Sequence, residues 1–109
     1  MTWRGSVATN GRPARTAGGG SMPPAFSLGN IFITSGASDA LNHSDVLALL
    51  GRHARGDWGD VCEEDKQAND GAVIDGERLL SAYVCDATRV WVITEADRSA
   101  TTVLLPDEY

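Results

Sequence analysis

The residues of this chain that could carry out hydrolysis fall into two short segments. His53 and Asp57 lie four positions apart, and Glu95, Asp97 and Arg98 share one stretch between two apolar runs. An imidazole can act as a general base, a carboxylate as an acid, and a guanidinium can stabilise a developing negative charge. A small metal-assisted hydrolase or nuclease would therefore use His53, Asp57, Glu95 and Asp97.

Each of these groups also has a structural interpretation, which we favour. His53 falls on the apolar side of a predicted helix, and Asp57 follows the end of that helix among glycines. Residues 95–99 have the composition of a turn, in which Asp and Ser bind backbone groups and Arg98 pairs with neighbouring carboxylates. The sequence has no glycine-rich phosphate loop, nucleophile elbow or HExxH motif, so no catalytic residue and no cofactor are assigned.

Carboxylates are concentrated in residues 57–77, where eight acids and one lysine give a local charge of −7. Such a surface repels nucleic acid directly, and it suits a basic protein partner. Among these acids, Trp58 is either an anchor for an interface or a cover over the core. The residues predicted to bind the partner are Asp57, Trp58, Asp60, Glu63, Glu64, Asp65 and Asp70.

The two cysteines and the lack of long apolar runs exclude several classes of protein. Cys62 and Cys85 have no CxxC pair or histidine cluster near them, so two reduced thiols are expected and structural zinc is not. No run approaches the ~18 apolar residues of a membrane span, and residues 1–25 lack the apolar middle of a signal peptide. We therefore expect a cytoplasmic protein without a membrane partner.

Helical and strand patterns follow one another from residue 31 onward. Residues 31–34 are a short β-like run, and residues 35–38 are predicted as a turn. Ser44 is the predicted N-cap of a helix that Gly56 ends, and its apolar face consists of Val46, Leu49, Leu50 and His53. Asp60 and Glu63 have capping-box spacing for a second helix that Gly76 closes.

The last third of the sequence predicts strands. The β-like runs cover residues 79–85, 90–94 and 101–105, and two turns separate them, which predicts a three-stranded antiparallel meander. Tyr83 and Trp91 are predicted to pack as a cross-strand pair. Helices grouped between strands indicate an α+β fold, with two or three helices on one face of the sheet.

The chain forms one domain preceded by an arm. Residues 1–25 are rich in Gly, Ser, Thr, Arg and Pro, with three arginines and no acid, and are predicted to be a disordered arm or leader. Met22 follows a Gly/Ser run and is a candidate native start. Residues 26–109 are predicted to be a single domain with a net charge of −9.

Several segments together resemble one protein family. They are Arg52-His53, the GDWG run from Gly56, Asp65, Asn69-Asp70, Gly76, Arg78, Ser81-Ala82-Tyr83, and the closing block WVITEADRS…TT…LLPDEY that begins at Trp91. The pattern resembles small proteins labelled plasmid-related in proteobacterial plasmids and other mobile elements. That resemblance implies a mobile-element setting and a helix-plus-meander fold, and it brings no established active site.

These observations favour a non-enzymatic interaction protein over the hydrolase. Its acidic face would bind a basic, nucleic-acid-binding host protein, and inhibition of a restriction or CRISPR defence is the specific form of this hypothesis. A third alternative is a regulatory, antitoxin-like protein that forms a homodimer through the edge of its sheet.

Overall fold

The computed structural model describes residues 24–109, so almost all of the predicted arm lies outside the described residues. The elements follow in the order β1 (Asn30–Ile33), α1 (Ser35–Ala40), α2 (His43–Ala54), α3 (Glu63–Asp75), β2 (Leu79–Cys85), β3 (Thr88–Thr94) and β4 (Ala100–Leu104). A 3-10 turn at Pro106–Glu108 closes the chain. One strand, then helices, then three strands confirm the α+β prediction.

The helix predicted around residues 46–53 is α2, but its N-cap is Asn42. The Asn42 side chain accepts a hydrogen bond from the backbone N–H of Asp45 (2.8 Å), and the Asp45 carboxylate accepts from the backbone N–H of Asn42 (3.3 Å). The prediction that Ser44 is the N-cap is wrong. Counted from Asn42, the third helical position is Asp45, an acid that completes the capping box, and no acid has that position relative to Ser44. Gly56 takes the left-handed conformation (φ 83°) after the last turn, as predicted.

The other two helices begin differently from the predictions. Residues 35–40 form α1 where a turn was predicted, and the Thr34 hydroxyl accepts from the backbone N–H of Ala37 (3.3 Å) as its cap. Asp60 does not cap α3. Its backbone N–H donates to the carbonyl of Ala82 (2.6 Å), and this bond holds Asp60 beside β2. The helix begins only at Glu63, and Gly76 (φ 75°) closes it as predicted.

The four strands form one sheet in the order β1-β4-β3-β2. The meander of β2, β3 and β4 is antiparallel, as predicted. The short first strand joins the same sheet beside β4 and runs parallel to it, with Ile31 opposite Thr101. β1 and β2 are therefore the two edges of the sheet.

The β2 edge is closed by segments that precede the strand. The Asn69 side chain donates to the carbonyl of Leu80 (2.8 Å) and accepts from its backbone N–H (3.3 Å). Further along, the backbone of Ala82 donates to the carbonyl of Trp58 (3.1 Å) and accepts from Asp60. Edge groups that would otherwise pair with another chain are thus satisfied internally.

The core lies between the helices and one face of the sheet, to which alternate residues of each strand point. Its main cluster contains Ile31, Val46, Leu49, Leu50, Tyr83, Val90, Val92 and Val103, and a second cluster contains Trp58, Ala72 and Leu79. The prediction that Tyr83 and Trp91 pair is wrong. Trp91 lies opposite Ala82, so Tyr83 and Trp91 are on opposite faces of the sheet, and the Trp91 ring instead packs against Tyr109 (5.5 Å between ring centroids).

Residues 24–109 contain no helix with both the length and the apolar composition that crossing a membrane requires.

Candidate functional site

His53 lies in the centre of the protein, between α2 and the sheet, with 0% of its surface exposed. Its Nδ1 atom is 2.5 Å from the Ser81 hydroxyl on β2, and its Nε2 atom is 2.9 Å from the Thr94 hydroxyl on β3. The Thr94 hydroxyl lies 2.7 Å from that of Thr101 on β4, which donates to the carbonyl of Leu28 (2.7 Å). A chain of hydrogen bonds thus links α2 to three strands and to the segment before β1.

The directions of the hydrogen bonds between Leu28 and His53 Nε2 follow from the last member of this chain. The Thr101 hydroxyl has one proton and gives it to Leu28, so it accepts from Thr94. Thr94 must then accept from Nε2–H of His53. In a neutral ring with its proton on Nε2, Nδ1 accepts from the Ser81 hydroxyl. Both nitrogen atoms of His53 are thus occupied by hydrogen bonds.

The surroundings of His53 keep it neutral. Burial, together with the positive charge of Arg98, lowers the pKa of His53 to about 4. The rings of Phe26 and Trp58 pack edge-on against the imidazole, with ring centroids 5.3 and 5.6 Å away. The imidazole is inaccessible to a substrate, and its role is structural.

The lowered pKa predicts a dependence of stability on pH. In the unfolded chain His53 takes up a proton near pH 6.5, and in the folded protein only near pH 4, so protonation favours unfolding between these values. The contribution of His53 to the free energy of unfolding should fall by roughly 3 kcal/mol from pH 7 to pH 4, with about 1.2 kcal/mol lost already at pH 5.5. Chemical denaturation at a series of pH values measures this loss.

A His43→Gln variant is the control, because His43 is the other histidine and is exposed. It should keep the loss of stability between pH 7 and pH 5.5, where carboxylates contribute little. If wild-type stability is constant over that range, the imidazole is not a neutral buried group.

Asp57 is held beside the end of α2 by charge and by hydrogen bonds. Its carboxylate pairs with Arg52 (Nε to Oδ2, 2.7 Å), which lowers the pKa of Asp57, and it accepts from the backbone N–H of Gly59 (3.2 Å). The Tyr83 hydroxyl donates to the backbone carbonyl of Asp57 (2.6 Å), and burial raises the pKa of Tyr83 to about 12. Asp57 thus fixes the loop between α2 and the β2 edge.

The turn between β3 and β4 contains the other three candidates for hydrolysis. Asp97 accepts from the backbone N–H of Ser99 (3.0 Å), as expected for a turn, and its pKa is lowered by the Ser99 hydroxyl and backbone. Glu95 lies 3.9 Å from Arg78. Neither carboxylate contacts His53, so the structure does not bring the four predicted hydrolytic residues together.

Arg98 binds carbonyl oxygens, and the prediction that it pairs with carboxylates is wrong. Its Nη2 atom donates to Ala72 in the last turn of α3 (2.9 Å), and Nη1 donates to Glu77 (2.6 Å) and to Glu95 and Ala96 (both 3.1 Å). Its guanidinium also lies 5.6 Å from the centre of the Phe26 ring. Arg98 therefore ties the C-terminal end of α3 to the β3–β4 turn, where a cation suits the helix dipole.

The groups that could hold a metal ion are not those suggested by the sequence. Within residues 24–109, potential ligand atoms converge at Asp45, Cys85 and Asp86, where they lie within 4.8 Å of one another. Asp45 already caps α2, and burial and the two neighbouring carboxylates raise the pKa of the Cys85 thiol. Cys62 is exposed, Cys85 is half-buried, and the two do not form a disulfide with each other.

The residues predicted to bind a partner divide into exposed acids and one buried ring. Trp58 is 4% exposed, and its indole N–H donates to the Asp70 carboxylate (2.9 Å). It covers the core and is not an exposed anchor. The acids that line α3 and its flanking segments are exposed, and they form what we call the acidic surface: Asp60, Glu63, Glu64, Asp65, Asp70, Asp75 and Glu77.

The acidic surface has little internal neutralisation. The ion pairs found within residues 24–109 are Arg52–Asp57 and Arg78–Glu95, and neither includes one of its acids. Beside it, a groove of about 260 Å³ between α3 and β2 is lined by Asp65, Ala68, Asn69, Arg78, Leu79 and Leu80. Asp65 therefore stands next to apolar side chains that could receive part of a partner residue.

Several residues with central structural roles were missed in the sequence. Ser81 and Thr94 bind the two nitrogen atoms of His53, Thr94 also binds Thr101, and Asn69 closes the β2 edge. The Glu108 carboxylate accepts from the Thr34 hydroxyl (2.5 Å) and from the backbone N–H of Gly36 (3.0 Å), and this lowers its pKa. The sequence signal for Ser81, Thr94 and Thr101 was a polar residue at a strand position that faces the core, because a buried polar group needs a hydrogen-bond partner.

No family model matches the chain, and no similar protein was found among curated proteins or solved structures.

Proposed function

We propose that this is a non-enzymatic interaction protein of a mobile genetic element. Its acidic surface binds a basic, nucleic-acid-binding protein of the host cytoplasm, and inhibition of a restriction or CRISPR defence is the specific form of the proposal. The observation that carries it is a contrast within one small domain. The acids of α3 and its flanks are exposed without ion pairs, whereas the polar groups near His53 are buried and bound to one another.

The physical basis is competition for a basic surface. Duplex DNA carries one negative charge per ~1.7 Å of helix axis, and proteins that bind it do so through arginine and lysine side chains. Residues 57–77 carry a net charge of −7, which offers such a protein a compact alternative to DNA. The groove beside Asp65 would receive the methylene groups of a basic side chain while the carboxylate pairs with its charge.

The hydrolase alternative has no specific observation in its favour. His53 is buried with both nitrogen atoms occupied, and Asp57, Glu95 and Asp97 have separate structural partners. The proposal therefore rests on binding alone.

Capture from a host lysate tests the proposal. The immobilised full chain is exposed to the lysate at about 50 mM salt, and retained proteins are eluted by raising the salt concentration, because charge-driven contacts weaken as salt screens them. We expect basic nucleic-acid-binding proteins to be retained, and added duplex DNA to compete for them. Retention that persists at high salt, or retention of proteins that have no basic surface, would contradict the proposal.

Two triple variants separate the acidic surface from net charge. Glu63→Gln, Glu64→Gln, Asp65→Asn removes three charges from α3, and Asp39→Asn, Asp86→Asn, Asp107→Asn removes three exposed charges elsewhere. We expect the first variant to lose at least about 10-fold in affinity for the captured protein, since three exposed ion pairs contribute about 0.5 kcal/mol each. The second variant should stay within about 3-fold of the wild type. Equal losses would show that total charge, and not this surface, controls binding.

A further inference from the structure

The two edges of the sheet differ in one respect that bears on assembly. The β2 edge is closed by Asn69 and by the backbone around Gly59. The β1 edge has no such cover among residues 24–109. The backbone N–H groups of Asn30 and Thr34 donate toward β4, so by strand alternation the N–H and C=O groups of Ile31 and Ile33 point away from the sheet.

We propose that this open edge is a dimer interface, at which β1 pairs antiparallel with β1 of a second copy of the chain. In a two-fold arrangement centred on Phe32, Ile31 of one copy lies opposite Ile33 of the other. Each of these two pairs exchanges two backbone hydrogen bonds, so the four outward groups of each edge are all satisfied. The result is one continuous sheet of eight strands, which is within the usual range.

The side chain of Phe32 supports this register. It is 41% exposed and lies on the sheet face opposite to that of the core residue Ile31, although it is one of the larger apolar side chains of the domain. In the proposed register the two Phe32 residues face each other across the two-fold axis in a pair without hydrogen bonds, where side chains approach most closely. The dimer therefore covers an apolar ring that the monomer leaves in water.

Charge identifies a second copy as the occupant. Residues 26–109 carry −9, so two copies repel one another at most orientations, but residues 16–38 contain no charged side chain. The β1 edge lies within this uncharged stretch, so the strand itself adds no repulsion between like charges when two copies meet there. A strand of four residues buries less than the ~1,200 Å² of a standard interface, so we expect a dimer in the micromolar range.

Salt distinguishes this interface from binding through the acidic surface. Raising NaCl from about 50 to about 500 mM screens the repulsion between the two domains, so the dimer should become tighter by roughly 10-fold. Binding of a basic partner should become weaker under the same change. The two proposals can therefore fail separately.

Sedimentation velocity of the full chain over a range of concentrations at both salt levels measures the dimer. Phe32→Lys should weaken it at least about 10-fold, because like charges then face each other at the axis. Val84→Lys is the matched control, since Val84 is an exposed apolar residue (53%) on the opposite edge strand and the change in net charge is the same. It should leave the dimer unchanged, and circular dichroism checks that both variants fold.

Hydrogen exchange at the Ile31 and Ile33 amides identifies the edge directly. Both amides should exchange slowly in concentrated samples and quickly in dilute ones. Exchange that is slow at every concentration in a monomeric protein would show that residues 1–23 occupy the edge, and it would overturn the proposal. A monomer with fast exchange at all concentrations, or equal effects of Phe32→Lys and Val84→Lys, would overturn it as well.

Discussion

Replacement of Arg98 by alanine is expected to lower the free energy of unfolding by about 3 kcal/mol. The guanidinium donates to four carbonyl groups, on Ala72, Glu77, Glu95 and Ala96, and no other side chain among the described residues replaces these contacts. Without it, the last turn of α3 and the β3–β4 turn lose their connection. The loss is smaller than that of four full charge-assisted hydrogen bonds because three of these carbonyls are exposed and can bind water in the variant. Urea denaturation measures the change.

Two further variants separate the contacts of Arg98 from its backbone conformation. Arg98 has a φ of 61°, which disfavours any residue with a Cβ atom, so Arg98→Gly should be about 1 kcal/mol more stable than Arg98→Ala. Arg89→Ala is the control, because Arg89 is an exposed arginine on β3, and it should change stability by less than about 0.5 kcal/mol. Similar losses for Arg89→Ala and Arg98→Ala would contradict the role of Arg98 as a connection between elements.

Replacement of His53 by alanine is expected to cost about 4 kcal/mol, the largest effect of any single change proposed for this protein. The substitution opens a cavity beneath Phe26 and Trp58, and it leaves the Ser81 and Thr94 hydroxyl groups buried without their partner. Both contributions act on the folded state, so thermal and chemical denaturation should both show the His53→Ala variant to be less stable than the wild type. A loss below about 1 kcal/mol would show that the site collapses or admits water easily.

A double-mutant cycle separates the hydrogen bonds of His53 from its volume. His53→Phe keeps a ring of similar size but cannot bind Ser81, so Ser81→Ala should be much less destabilising in that background than in the wild type. We expect a coupling free energy of about 1–2 kcal/mol between the two positions. Additive effects, with a coupling near zero, would mean that the contact between Nδ1 and Ser81 contributes nothing to stability.

The residues that carry the family resemblance have structural roles in this fold. In the closing block, Thr94 and Thr101 belong to the His53 hydrogen-bond chain, and Arg98 binds α3. Glu108 fixes the C-terminal turn to the start of α1, and Tyr109 packs on Trp91. A pattern of this kind can therefore specify a fold without encoding an active site, which agrees with the non-enzymatic proposal. The mobile-element setting itself stays a prediction.

The fold was predictable from local patterns. The apolar spacing of Val46, Leu49 and Leu50 placed α2, Gly56 and Gly76 marked the ends of two helices, and β-like runs separated by turns gave the meander. These signals work because helix and strand periodicities depend on neighbouring residues alone. The cap of α2 did not follow from residue type alone: Asn42 and Ser44 are both suitable cap residues, and the reciprocal bond with Asp45 decided between them.

By itself, then, the sequence determined the α+β class, the order of the elements other than α1, the density of acids in residues 57–77 and the uncharged stretch that contains β1. Only the tertiary structure decided that His53 is a buried neutral group, that Trp58 covers the core, that Arg98 binds carbonyls and that β1 is an edge strand beside β4. The reason is distance along the chain. The partners of His53 lie 28 and 41 residues away, and Glu108 binds Thr34 across 74 residues, so these contacts exist only after the elements have packed.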